Sequence, residues 1–109
     1  MSSKDLLKFE PEFISAFLNH FEKCERQYDD YMAKAFPTLL KNEGFSYQVG
    51  SRYIKIVRDG SVFSFIDVTN GAVLKAASWR APAKHARGNI FDESNGMKHV
   101  TVYGPNYLR

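Results

Sequence analysis

Residues 52–73, RYIKIVRDGSVFSFIDVTNGAV, decide the fold class. The runs 52–58 and 61–68 are rich in β-branched and aromatic side chains, which fit a pleated, half-buried surface. Between them stands Asp59-Gly60, the residue pair that adopts positive φ most readily and so closes a two-residue hairpin. With that loop, Ile56 is expected opposite Phe63, Ile54 opposite Phe65 and Arg52 opposite Asp67. Asn70-Gly71 repeats the signal and predicts a third strand over residues 72 to about 78, with Leu74 facing Asp67 and Ala76 facing Phe65. The product is an antiparallel meander with one apolar face.

Upstream the period changes. Phe13, Ile14, Phe17, Leu18, Phe21, Cys24, Tyr28, Tyr31, Met32 and Ala35 recur at spacings of three and four, the signature of a helix with one apolar stripe. Pro11 suits its first turn, Glu10 and Glu12 favour the positive end of its dipole, and Phe36-Pro37 stops it. The helix therefore runs roughly from Pro11 to Ala35, and a short helical turn over 38–42 is expected to close at Gly44. Downstream, Pro82 is expected to open a short helix through Ala86 that ends at Gly88. Residues 92–96 read as a turn, and 100–103 read as a short fourth strand ended by Gly104-Pro105.

A chain of 109 residues with 44% hydrophobic and 15% aromatic content fits one domain with a real core. Its parts are a helical portion, 1–45, and a sheet and basic portion, 46–109. Charge is divided unevenly between them. Residues 1–45 carry six Lys and Arg against eight carboxylates, net −2, whereas 46–109 carry nine against four, net +5. The basic half points to an anionic partner. A single cysteine, Cys24, forbids an intramolecular disulfide and a thiolate metal cage, and suits a reducing cytoplasm. The N-terminus has no long uncharged apolar run, so neither a signal peptide nor a membrane span is expected.

The basic residues gather around the only tryptophan. Lys75, Trp79, Arg80, Lys84, His85, Arg87 and Asn89 form the candidate ligand-binding set. Guanidinium forks grip phosphate in bidentate fashion, backbone N–H groups near Gly88 and Asn89 offer a small anion nest, and an indole stacks on bases. The competing reading makes Trp79 core and Gly88 a helix stop. A second surface, Tyr53, Lys55, Val57, Ser64, Ile66 and Lys75, lies on the face opposite Ile54 and Ile56. Its composition resembles sheets that stack on and neutralise nucleic acid, or it is covered by the C-terminal segment or another subunit. Catalysis has little support. His20 reads as a structural histidine at a helix edge, and His85 and His99 lack a motif-spaced acid or cysteine. No catalytic residue, metal ligand or cofactor is assigned.

The segments RYIKIV, SVFSFID, NGAVLKAASWRAPAKHARGNIFD and VYGPNYLR together resemble small, mostly uncharacterised proteins of tailed bacteriophages. The resemblance covers roughly residues 49–109, and KAASWRAPAKHARGNI at 75–90 is its most specific part. It implies a virus-encoded protein acting in the host bacterial cytoplasm, with residues 75–90 as one structural unit.

The expectation is an α+β domain. A long N-terminal helix packs on a three- to four-stranded antiparallel meander, followed by an irregular basic C-terminal segment. The expected activity is non-enzymatic binding of a phosphate-bearing ligand, nucleic acid first. The alternatives are a protein-binding inhibitor of a host enzyme or defence complex, and a nucleotide-sequestering protein. A helix of about 25 residues spans roughly 37 Å, longer than a strand of about 20 Å, which points to a homodimer through the helix.

Overall fold

In the computed structural model, residues 3–38 and 44–105 are described. The long helix α1 occupies Pro11–Ala35, the expected bounds, after a 3-10 turn at Ser3–Lys8. Pro11 sits in its first turn, and the Phe36 N–H donates to the Met32 carbonyl at its end. Phe13, Phe17, His20 and Cys24 form its fully buried line. The expected stripe is corrected at two positions: Leu18 turns outward, and Ala35 at the last turn is exposed. The helical turn expected at 38–42 lies almost wholly outside the described residues.

The main sheet has five antiparallel strands in sequence order: β1 Phe45–Val49, β2 Tyr53–Arg58, β3 Ser61–Asp67, β4 Ala72–Ala76 and β5 Pro82–Asn89. The α+β architecture is as expected, but the sheet is wider than three or four strands. Its first extra strand, β1, alternates Phe45, Tyr47 and Val49 inward. Its second replaces the helix expected at Pro82 and makes the basic segment regular. Proline at the first position of an edge strand costs no ladder bond, and β4 supplies the pairing that residues 83–89 do not specify alone. Residues 100–103 join the sheet nowhere; β6 Val100–Thr101 instead pairs with β7 Gly104–Pro105.

The first hairpin closes as expected, with Asp59 at φ 49° and Gly60 at φ 83°. Arg58 pairs with Ser61 and Val57 with Val62, and then a bulge shifts the ladder so that Ile56 faces Ser64, Ile54 faces Ile66 and Tyr53 faces Asp67. The expected pairs of Ile56, Ile54 and Arg52 are therefore off by one, because Phe63 is the extra residue. The shift changes faces. Ile54, Ile56, Phe63, Ile66 and Val73 join Phe17 in the core under α1, whereas Phe65 moves to the other face beside Tyr53, 5.9 Å between ring centroids. The third-strand register is corrected as well, to Phe65 with Leu74 and Ile66 with Val73. The cause is a wider turn: the Gly71 N–H donates to the Asp67 carbonyl, and Asp67 Oδ1 accepts from the Thr69 N–H.

Two segments share the core face of the sheet. The helix lies over β1 through T-shaped contacts of Phe17 and Phe21 with Tyr47, at 5.2 and 5.3 Å. The C-terminal segment runs beside the helix, where Gln27 donates to the Val100 carbonyl at 3.1 Å and Tyr31 meets Tyr103 at 6.3 Å. Arg58 donates to the Val102 carbonyl, and Tyr28 donates to Asp59, so the hairpin turn clamps both segments. The C-terminal segment thus covers the helix side of the sheet, not the opposite face expected for it.

Candidate nucleic-acid interface

The opposite face is reached by an arm of the chain. β4 pairs with β3 only through Val73 and Leu74, while β4 and β5 remain paired out to Ala76 and Pro82. Beyond the last pair, the Ala77 and Ser78 N–H groups both donate to the Ala81 carbonyl, and Ser78 Oγ accepts from the N–H groups of Arg80 and Ala81. This tight tip carries Trp79 and Arg80 back across β3 to β2. There Lys55 Nζ lies 4.0 Å from the centroid of the Trp79 ring, which stays 45% exposed.

Arg80 closes one side of an open cleft of about 320 Å³, whose other walls are the β1–β2 turn, Arg52, Tyr53 and Lys55. Three cations and two aromatic rings therefore share one surface. Arg52 stacks 5.4 Å from the Tyr53 centroid and donates to Asp67 at 3.3 Å. Burial opposes ionisation of Asp67, but the Thr69 hydroxyl and N–H and the Arg52 guanidinium outweigh it and hold the carboxyl below its ordinary range. Arg52 is largely exposed on its remaining edge, so its fork is oriented by Asp67 without being enclosed.

The structure sorts the sequence-based set into three places. Trp79 and Arg80 stand at the cleft. Lys84 and His85 are exposed along the outer edge strand β5. Lys75, Arg87 and Asn89 serve contacts within the chain: Lys75 Nζ donates to the Pro105 carbonyl at 3.2 Å, and Arg87 is buried with a guanidinium N–H donated to the His85 carbonyl. Asn89 Nδ2 donates to the Asn70 carbonyl at 2.8 Å, and its Oδ1 accepts from the Phe91 N–H.

Of the anion nest expected near Gly88 and Asn89, the Asn89 N–H faces a carboxylate of the chain. Asp92 accepts from the N–H groups of Gly96 and Ser94 at 2.9 Å each and from the Asn89 N–H at 3.4 Å. These bonds, that of Gly96 foremost, keep Asp92 ionised below its ordinary range. The Trp-basic stretch and the Tyr53–Lys55 sheet face are separate surfaces in the sequence, and the folded arm merges them. Arg52 joins the site although the expected set leaves it out; its signal in the sequence is its place beside Tyr53, just before β2. Ser64, Ile66 and Lys75, expected on that face, leave it: the bulge turns Ser64 and Ile66 to the core side, and Lys75 reaches the Pro105 carbonyl.

Among the described residues, no three His, Cys, Asp or Glu side chains come together as a metal site, and no helix is long and apolar enough to cross a membrane. No curated protein and no solved structure matches the chain. A family model does match, over residues 2–104, taking in the helix, the sheet and the arm alike, and the chain therefore belongs to DUF7717, a family of unknown function.

Proposed function

We propose that the protein binds single-stranded nucleic acid without catalysis, on the sheet face opposite α1. The observation that carries this reading is the convergence of Arg52, Lys55 and Arg80 on the exposed Trp79 ring and the half-buried Tyr53 ring. Guanidinium groups bind phosphate oxygens, and bases stack on aromatic faces regardless of sequence. Lys55 occupies the indole face in the free protein, so a base takes its place there while the ammonium moves to the adjacent phosphate. Lys84 and His85 extend the basic path along β5. The resemblance of residues 49–109 to phage proteins supports a virus-encoded origin and action in the host bacterial cytoplasm.

Titration of the only tryptophan with short single-stranded DNA and RNA tests this reading. Fluorescence quenching that weakens as salt rises is expected, with a weaker response to duplex. Absence of quenching at low salt refutes it.

A second reading, a protein-binding inhibitor of a host enzyme or defence complex, rests on a different surface. Tyr31 meets Phe36 and Tyr103, each at 6.3 Å between centroids, and Phe36 and Tyr103 are exposed. Aromatic clusters of this kind anchor protein interfaces. Recovery of one stoichiometric host protein from nuclease-treated lysate supports that reading, and recovery of nucleic acid alone removes it. Sequestration of a free nucleotide in the cleft predicts thermal stabilisation by mononucleotides. The homodimer through α1 rests now on exposed Leu18 and Ala35, because Tyr47, Phe45 and the C-terminal segment cover the rest of the stripe; light scattering at the monomer mass removes it.

A further inference from the structure

On the core side of the sheet, away from the cleft, the Cys24 thiol lies between an imidazole nitrogen and a thioether sulfur. His20 and Cys24 stand four residues apart on α1 and so share one face, and Met97 arrives from the loop after β5. Cys24 Sγ lies 3.5 Å from His20 Nε2 and 3.7 Å from Met97 Sδ. His20 Nδ1 is 2.8 Å from the Asn95 carbonyl oxygen, which only accepts, so the ring proton resides on Nδ1 and the Nε2 lone pair faces the thiol. This is the second-shell arrangement that orients metal-ligating histidines.

The two separations from Cys24 match those of adjacent ligands on one ion. With metal–nitrogen and metal–sulfur bonds of about 2.0 and 2.3 Å, near-tetrahedral angles place N and S about 3.5 Å apart and two sulfurs about 3.8 Å apart. We infer that His20, Cys24 and Met97 form a site for a soft monovalent metal ion, Cu(I). One thiolate, one thioether and one imidazole suit Cu(I), while hard cations require oxygen donors. The nearby carboxylate of Asp92 is committed to backbone N–H groups. A single cysteine excludes a thiolate cage but not this mixed set. On binding, the Cys24 S–H bond breaks, the sulfur bonds to the metal, and the proton passes to solvent; no oxidation state changes.

The delivering loop is fixed in position. Asn95 Nδ2 donates to the Ala16 and Ile90 carbonyls at 3.0 and 2.7 Å, and Gly96 at φ 80° has no space for a Cβ, which would stand 3.0 Å from His20 Nδ1. Met97 is only partly buried, and its side chain gives the ion its entry path.

Anaerobic titration with Cu(I) against a competing chelator, and with Ag(I) nitrate as a redox-inert probe, tests the site. Thiolate-to-metal absorption saturating at one equivalent is expected, with shifts of the Met97 methyl and His20 ring resonances. Met97→Leu, which preserves apolar volume, should bind at least tenfold more weakly with an unchanged melting temperature, and Cys24→Ser should not bind. No uptake by the native protein overturns the inference. So does equal affinity in Met97→Leu, or binding that leaves the Met97 methyl unshifted, since either shows capture by the thiol alone. The outcome is independent of nucleic-acid binding on the other face.

Discussion

Arg80→Ala should lower the salt sensitivity of nucleic-acid binding without disturbing the fold. The tip of the arm is held by backbone groups, since the Arg80 and Ala81 N–H groups donate to Ser78 Oγ and the Ala77 and Ser78 N–H groups donate to the Ala81 carbonyl. None of these bonds uses the guanidinium, and alanine preserves them all. The cleft presents Arg52, Lys55 and Arg80. If each neutralises one phosphate of a single strand, the slope of log affinity on log salt is about −2, at roughly 0.7 per contact. Between 50 and 200 mM salt, affinity then falls about 20-fold in the native protein and about 7-fold in Arg80→Ala. Fluorescence titrations at four salt concentrations measure both slopes. Lys98→Ala, which removes an exposed cation near the helix side, is the control and should leave the slope alone. An Arg80→Ala slope equal to the native one, or an equal reduction in Lys98→Ala, refutes the assignment of phosphate contact to the cleft.

Other consequences concern the fold. Gly96→Ala should cost about 2–4 kcal/mol, combining positive-φ strain with a Cβ placed 2.9 Å from Val73 Cγ2 and 3.0 Å from His20 Nδ1, and a urea midpoint within error of native would contradict that. Ser64→Ala should raise stability by about 1 kcal/mol, because the Ser64 hydroxyl is buried among core residues and has no hydrogen-bond partner among the described residues; a loss on thermal melting would contradict it. Acidification should destabilise the protein in two windows. Burial, partly offset by the Asn95 bond, depresses the folded-state pKa of His20, so the unfolded chain takes up a proton first as pH falls through about 6.5. The depressed carboxyls of Asp67 and Asp92 act likewise: their stabilisation is intact above the unfolded value near 3.9 and is lost as pH falls towards their folded values. Urea midpoints unchanged from pH 8 to pH 5 would contradict the His20 contribution.

The parts of the fold set by local chemistry were legible. Pro11, the three-four spacing and Phe36-Pro37 mark the extent of α1, and Asp59-Gly60 marks its hairpin. What was not legible depends on distant partners. Residues 82–89 have few strong strand formers, and Pro82 opens a helix or an edge strand equally well until β4 is there to pair with. The bulge at Phe63 has no turn residue to announce it; it delivers Phe63 and Ile66 together to the core. The same nonlocality governs the site. Trp79 and Arg80 stand out by composition, yet their meeting with Lys55 and Arg52 requires the arm to cross β3. Arg87 and Asn89 resemble ligand residues in sequence because internal carbonyls and phosphates recruit the same donors.

The most direct test of the central claim is the Trp79 emission of the native protein titrated with a short single-stranded oligonucleotide at low salt. Saturable quenching that reverses on adding salt is the predicted result, because a base must displace Lys55 from the indole face. Binding by an independent method with unchanged Trp79 emission, or no binding at all, would contradict the account and leave the arm with a purely structural role.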